Sequence, residues 1–595
     1  MARRFRLPRR WRLPVFAVAV LAVLGCGIWL GVRAYLAQHE MADAERLARE
    51  VQQDIVSGRP AESRAAAAQL VARVDAAKAY TSDPVWRAAG LIPWVGGNFS
   101  IPTRLAEVLS DVAHGAVEPA SSAAADFDLS KLKPVNGGVD LKELATTQTV
   151  VDRVDSVLRK AHDDVAQIRS GLGVIAPLSD GVERLTAELS KVSNQVEGAN
   201  RALQLLPPML GNDGARNYLI LFLNNAELRS TGGIPGSVAL IHVDHGHISL
   251  AQQTEAKGFP AFAKSVLPLA PQTEGLYGSI TGRYFQDVNL TPQFDVSARV
   301  AAEMWRQKYG TTVDGVFSLD PVALSFVLKA TGPVMLPTGG WLDSENAIRA
   351  LLSDAYAHFD SVADKDGFFA SVAAAVFAKV VSGGFDPKAM AAQLGAASAE
   401  RRVLAWSSRL AEQEVFEAAG ISGDISARGT PNGGLRVYLN DATGAKMDYY
   451  LRVSYRVGGV ACRADGRPNW EIEVTFKNEA PADAAHSLPE YVTGGGLYGV
   501  PPGDMKTQVN AYALPGSVYL GAQRDGAHID LHTDMDAGYA VAQTDLILAP
   551  GQSSVLRFQF LGPAGAKVDP PLVVTPTVNT ITTSPLPLSC DDKLG

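Results

Sequence analysis

Apolar and uncharged residues run without a break from Pro14 to Val32, and Arg33 ends the run. A helix of these 19 residues spans about 28 Å, close to the hydrocarbon thickness of a bilayer. The twelve residues before it hold six arginines (Arg3, Arg4, Arg6, Arg9, Arg10, Arg12) and no acid. Clustered arginines stay on the cytoplasmic side, which predicts one membrane-spanning helix with the N-terminus inside and the rest of the chain outside. Two other readings stand beside it. A cleaved signal peptide would need a small-residue site, but Trp29 and Leu30 prolong the apolar stretch. Val23-Leu24-Gly25-Cys26 resembles a lipobox, but Gly27–Val32 remains apolar where such signals turn polar. No later stretch is long and apolar enough to span again, so a single-pass protein is predicted.

The pattern then becomes helical. Val151, Val154, Leu158, Ala161, Val165, Ile168 and Leu172 step by three and four, as do Leu185, Leu189, Val192, Val196, Ala199, Leu203 and Leu206. Pro177 and Ser179-Asp180-Gly181 between them predict a turn, hence a helical hairpin. It is either an antiparallel coiled coil or two helices packed on a globular core. Trp86 and Trp94 either pack between helices or sit at the membrane interface.

From about residue 215 short apolar runs replace the helical period. Asn217–Leu223, Ser237–Val243, Ile248–Ala251 and Val313–Leu319 predict strands. Ser297–Tyr309, Pro321–Ala330, Asn346–Phe359 and Gly367–Val381 predict helices. Alternation of the two predicts an α/β domain. Beyond it, Leu435–Leu439, Asp448–Val457, Trp470–Asn478, Gly516–Leu520, Tyr539–Leu548 and Ser554–Phe560 are strand-like without helices between them, which predicts a β-sandwich, immunoglobulin-like in its spacing. Pro570–Leu588 reads as an extended tail that adds an edge strand. The predicted fold class is therefore multidomain: a cytoplasmic basic tail (1–12), a transmembrane helix (13–33), a helical stalk or hairpin (34–212), an α/β domain (213–425) and a β-sandwich with its tail (426–595).

Composition narrows the partners. Setting aside the six arginines leaves 48 basic against 62 acidic residues, a net of −14 outside the membrane. That argues against nucleic acid. Of three cysteines, Cys26 lies in the apolar run. Cys462 and Cys590 lie outside, where a disulfide persists; two free thiols are the alternative.

The densest polar cluster is Asn224-Asn225-Ala226-Glu227-Leu228-Arg229-Ser230-Thr231-Gly232-Gly233. It follows the first α/β strand, where open sheets place ligand crevices. Glycines let a backbone approach a ligand, and Arg229 can grip a carboxylate or phosphate. This makes Asn224, Asn225, Glu227, Arg229, Thr231, Gly232 and Gly233 ligand-binding candidates, against the plainer reading of a capped turn. His242, His245 and His247 are split across strand faces, and Asp360, Asp364 and Asp366 lack the spacing of a calcium loop. No metal site, cofactor motif or nucleophile elbow is read, so no cofactor or catalytic residue is assigned.

NYLILFLNNAELRSTGGIPGSVALIHVDHGHI resembles the central motif of a bacterial, largely actinobacterial family, the domain-of-unknown-function family 4012. The resemblance continues through Asp287–Pro292, Val313–Pro333, Asn440–Tyr450, Asn478–Pro481 and Leu488–Gly494, and covers most of residues 80–560. It implies an anchored envelope protein associated with polysaccharide biosynthesis, with cell-envelope glycan or polysaccharide-assembly proteins as partners. Val313–Val334 is also similar, more remotely, to a strand-and-helix stretch of LytR-CpsA-Psr proteins, which transfer glycans from a polyprenyl pyrophosphate carrier. That similarity implies an α/β domain of their type and puts Asn225 and Arg229 at the start of their D-x-R motif. Asn replaces the acid, however, and the later arginines that would clamp pyrophosphate have no counterpart; only Lys365 is basic there. The expected function is therefore a non-enzymatic assistant in surface-polysaccharide assembly or export. A divergent transferase and a spacer presenting the β-sandwich are the alternatives.

Overall fold

The computed structural model describes residues 9–126, 133–168, 173–336, 339–359, 361–425, 434–461 and 463–586. They form two compact units, 1–129 with 141–207 and 130–140 with 208–595. Cys462, Cys590 and Asp360 lie outside the described residues, and so does any pairing they make.

The first unit is helical. Helix α1 (Arg9–Ser57) carries the apolar run and continues past Arg33 without a break. It is the one helix among the described residues long and apolar enough to cross a membrane. Its side chains Phe16, Val18, Leu21, Val23, Leu24 and Ile28 are exposed, as in an element lacking a protein partner. Beyond Arg33 the helix becomes amphipathic. After a turn at Gly58, α2 (Pro60–Tyr80) returns along α1, and Ala44, Leu47 and Val51 interlock with Ala66, Ala67, Leu70 and Val74. Small residues at these positions let the helices approach closely.

Helices α3 (Pro84–Ala89), α4 (Gly97–Val112), a π turn (Ala113–Val117) and α5 (Glu118–Asp126) follow. The predicted hairpin is α6 (Leu141–Ala166) and α7 (Ala176–Met209), and its stripes meet around Leu158, Val165, Val182 and Leu189. Asn200 Nδ2 donates to the buried Asp155 carboxylate at 3.0 Å. The turn itself is misplaced in the sequence reading: Pro177 and Ser179-Asp180-Gly181 belong to the start of α7. Proline is tolerated there because first-turn N–H groups have no helical partner.

The second unit begins with a five-stranded sheet of order β3-β2-β1-β4-β7. Its strands are β1 (Arg216–Asn224), β2 (Ile234–Asp244), β3 (His247–Glu255), β4 (Gly315–Leu319) and, after a small hairpin of β5 (Val334–Met335) and β6 (Trp341–Leu342), β7 (Val403–Ser407). β1 and β4 are parallel; the other neighbours are antiparallel. Short helix α8 (Pro271–Tyr277) precedes α9 (Phe294–Tyr309) and α10 (Pro321–Thr331). Then come α11 (Ala347–Arg349), a π turn, α12 (Ala355–His358), α13 (Val362–Val381), α14 (Pro387–Ala399) and α15 (Leu410–Ala418). β1 is central and apolar on both faces. Leu219 and Leu221 pack on Ala298, Ala301, Met304 and Trp305 of α9. Ile220 and Phe222 face the other way, toward a cavity.

Two further sheets follow, of order β13-β12-β16-β10-β9-β18 and β14-β15-β11-β8-β17. The six-stranded sheet comprises β9 (Leu451–Ala461), β10 (Asn469–Asn478), β12 (Val518–Arg524), β13 (Ala527–His528), β16 (Ser553–Leu561) and β18 (Thr582–Pro585). The five-stranded one comprises β8 (Leu435–Asp441), β11 (Met505–Ala513), β14 (His532–Asp536), β15 (Tyr539–Leu548) and β17 (Leu572–Val574). Both sheets feed one hydrophobic cluster: Val437, Leu439 and Val509 from one, Trp470, Phe476 and Phe558 from the other. Leu228, from the loop after β1, is fully buried in that same cluster. The central and C-terminal parts thus share a core. The C-terminal segment supplies an edge strand to each sheet, with β17 parallel to β8 and β18 parallel to β9.

Candidate functional site

The loop leaving β1 turns at once. Asn224 Oδ1 accepts from Ala226 N at 3.0 Å, and its Nδ2 donates to the Tyr356 hydroxyl at 2.7 Å. Asn225 is fully buried and donates to Asp320 Oδ2 at 3.0 Å. That carboxylate also takes Arg402 Nη1 at 2.9 Å and caps α10 through Ala323 N at 2.6 Å. Glu227 meets Lys446 Nζ at 2.5 Å. Leu228 N donates to Asp448 at 2.8 Å, and Leu228 O accepts from Asp441 N at 2.8 Å. Arg229 Nη2 donates to Asp287 at 3.1 Å.

Ser230 N donates to Asn440 Oδ1 at 2.9 Å, while its carbonyl accepts from Thr575 Oγ1 at 3.0 Å. Asn289 Nδ2 bridges Thr231 Oγ1 and Gly233 O at 2.9 and 2.7 Å. Gly232 takes φ +132°, which strains any residue with a side chain. A Cβ on Gly233 would lie 2.3 Å from the Asn224 carbonyl. The two glycines therefore serve the turn itself.

The candidates divide accordingly. Asn224, Glu227 and Arg229 line the cavity; Asn225, Thr231, Gly232 and Gly233 are not among its lining residues. Glu227, Leu228 and Ser230 tie the loop to the C-terminal part through Lys446, Asp448, Asp441, Asn440 and Thr575, while Asn224, Asn225 and Thr231 bond to Tyr356, Asp320 and Asn289 of the central part. The histidines do not converge: His242 bonds Asn217 at 2.9 Å and His245 bonds Asp244 at 2.7 Å.

The cavity has a volume of about 1020 Å³. Its wall is apolar, built by Ile220 and Phe222 of β1, Val327 of α10 and Phe369, Val372 and Val376 of α13. Around it stand Glu227, Glu255, Asp287, Asp320, Asp366, Asp441 and Glu490 against Arg229, Lys257, Lys365 and Lys446. Burial would lower the Lys446 ammonium, but Glu227 and the hydroxyls of Tyr356 and Tyr491 raise it above its ordinary value. Its charge is thus fixed. Burial pushes Glu255 up to about 7, helped by Asp366 and opposed by Lys257. Burial also raises Asp287 against the pull of Arg229. Asp441 and Asp448 are both raised, first by burial; for Asp448 the neighbouring Asp441 charge adds to the rise.

Lys365 is only 6% exposed. Its ammonium lies 4.5 Å from the centre of the Tyr491 ring and has no hydrogen bond or ion pair among the described residues. Asp287, Asp441, Lys446 and Tyr491 were not singled out as site residues in the sequence. The available signal was their position within DVNLTP, NDATGAKMDYY and LPEYVTG, the segments quoted for the resemblance.

One apolar N-terminal helix, a helical unit and a second unit whose sheets and helices enclose a ligand-sized space define the class of the chain. Residues 213–356 match the model of the family described as "Protein of unknown function (DUF4012)", so the resemblance read from the NYLILFL segment holds over that stretch. The match is narrower than 80–560 and takes in β1 to β6 together with α8 to α11, ending inside α12. No curated protein matches the chain.

Proposed function

We propose that this is a membrane-anchored, extracytoplasmic protein of the cell envelope that binds an amphipathic, lipid-linked ligand and thereby assists assembly or export of surface polysaccharide. The cavity carries this reading. Pockets for small ligands run to about 1,000 Å³ and hold a few placed polar groups. This one, at about 1020 Å³, reaches the top of that range, and its walls are aliphatic and aromatic. Each methylene buried there contributes about 0.8 kcal/mol. A bare glycan would leave its hydroxyls unpaired against Val327, Val372 and Val376, at a cost for each unpaired group. A ligand with a long hydrocarbon part fits.

The charged groups around the cavity limit the head group. Lys446 and Arg229 are already paired with Glu227 and Asp287, and carboxylates outnumber cations. A pyrophosphate needs more free cationic donors than this. The reading of a LytR-CpsA-Psr-like transferase shares the apolar wall but lacks the clamp, and is the weaker. In the same proposal the two C-terminal sheets are a β-sandwich that buttresses the cavity through Leu228. In this reading the six arginines before the apolar run keep the N-terminus in the cytoplasm.

The test uses the detergent-solubilised full chain and a fluorescently labelled polyprenyl monophosphate. We expect saturable binding, and at least tenfold weaker binding for Ala373→Trp, which fills the cavity. Binding of a free oligosaccharide with none of the lipid, or equal lipid binding by Ala373→Trp, would overturn the reading. Cells without the protein should lose surface polysaccharide and regain it with the native chain but not with Ala373→Trp.

A further inference from the structure

We propose that the turn Leu91–Val95 of the helical unit is a membrane-contacting surface, seated among the lipid head groups beside the point where the α1 span ends. The proposal rests on the reading of α1 as a membrane anchor.

The level of the turn follows from the helix register. Arg33 is the first charge after the uncharged run, so it marks the end of the span. Because α2 folds back along α1, its end returns to that level. Asp83 Oδ2 lies 3.6 Å from Arg33 Nε, and Asp83 Oδ1 accepts from Trp29 Nε1 at 3.5 Å. The Arg33 guanidinium stands 4.8 and 5.4 Å from the ring centres of Trp29 and Tyr80. Helix α4 then runs antiparallel to α2. Thr103 Oγ1 donates to Thr81 O at 2.6 Å, Ser110 to Asp75 at 2.9 Å, and Ser63 to Ser121 at 3.1 Å. Residues before Thr103 therefore lie at the same end of the bundle as Arg33. The α6–α7 connection joins them there, since Asn98 Nδ2 donates to Gly173 O at 2.8 Å and Asn98 Oδ1 accepts from Ile175 N at 2.9 Å.

At this end the surface is apolar. Leu91 is 85% exposed and Trp94 81%, with Ile92, Pro93, Val95 and Ile175 exposed around them. No charge occurs from Ala88 to Thr103. Soluble surfaces seldom leave such consecutive apolar side chains in water. Trp86 of the same segment is buried and donates Nε1 to Phe99 O at 2.9 Å, so packing has no need of Trp94. Trp94 is held outward on a backbone with φ +66°, uncommon for a bulky residue. Gly96 N closes the turn on Ile92 O at 2.8 Å. Tryptophan beside aliphatic residues is the composition that settles at a bilayer interface.

The full chain should be reconstituted in vesicles of phosphatidylcholine and phosphatidylglycerol, with a photoreactive benzoyl-phenylalanine in place of one residue at a time. Position 21 lies inside the span. Position 49 is an exposed site on α1, about 24 Å along the helix from Arg33. We expect lipid adducts at 21, 91 and 94 and none at 49. Adducts at 21 without any at 91 or 94 would overturn this proposal and leave the anchor standing. No adduct at 21 would overturn the anchor and the proposal together. Equal adducts at 49 and 91 would also overturn it, because lipid contact would then not be confined to this end.

Discussion

The Lys446 ammonium lies 2.5 Å from the Glu227 carboxylate, with the ring centres of Tyr356 and Tyr491 at 5.1 and 4.7 Å from the nitrogen. The pair joins the loop after β1 to the loop after β8, and both side chains are largely buried. Removing one partner leaves a buried charge uncompensated. Lys446→Met should cost about 3–5 kcal/mol, and adding Glu227→Gln should restore most of it. Urea unfolding of the single and double variants measures both. A single-variant cost below about 1 kcal/mol would mean that the pair acts like a surface ion pair.

Gly233 abuts Asn224 and Asn225 so closely that a methyl group has no place. Gly233→Ala should destabilise the chain by more than the 1–3 kcal/mol usual for overpacking, because the obstacle is backbone. Gly236→Ala, whose nearest neighbour would be 3.9 Å away, should be tolerated. Resistance to limited proteolysis compares the two.

The raised carboxylates give stability a definite pH dependence. Glu255 binds its proton up to about pH 7 when folded, against 4.5 ordinarily. Between those values the folded state holds the proton and the unfolded state does not, so stability falls as pH rises. Asp287 and Asp536, also raised by burial, act in the same direction from 3.8 upward. The melting temperature should be higher at pH 5 than at pH 7.5, and Glu255→Gln should reduce the difference. A melting temperature that climbs from pH 5 to 7.5 would refute this.

A fully buried hydroxyl chain runs from Tyr277 to Tyr512 at 2.6 Å and on to Asp536 at 2.9 Å. Tyr512→Phe removes the partner of the Tyr277 hydroxyl and of Asp536 Oδ2, while Asp536 Oδ1 keeps Thr273 and Gln293, and should cost about 1–3 kcal/mol. Tyr519→Phe, at a partly exposed hydroxyl, should change stability by no more than a few tenths of that. Thermal melts of the two variants decide it.

Much of the fold was legible along the chain. The unbroken run Pro14–Val32, the stripes of α6 and α7, and the apolar run of β1 depend only on periodicity, and the structure has helices and a strand there. β11 was missed. Its polar residues Thr507 and Asn510 lie on opposite faces and are both buried, so no alternation marks it as central. β7 was also unread, being five residues between two helices.

The Asn224–Gly233 cluster stood out as polar, but its spacing could not tell ligand from partner. Asp287, Asn289, Asn440, Asp448 and Thr575 lie far away along the chain, and only folding brings them to it. Lys365 sits in the string Asp364-Lys365-Asp366, which reads as a solvated face, yet the packing of α13 over the cavity buries it. Trp86 and Trp94, eight residues apart, take opposite fates for the same reason. Sequence by itself determined the apolar helix, the order of helical and strand-rich parts, and the polar loop, because those follow from neighbours a few residues apart. Tertiary structure alone decided which polar groups are consumed in pairing and which face open space, because burial is set by contacts between distant segments.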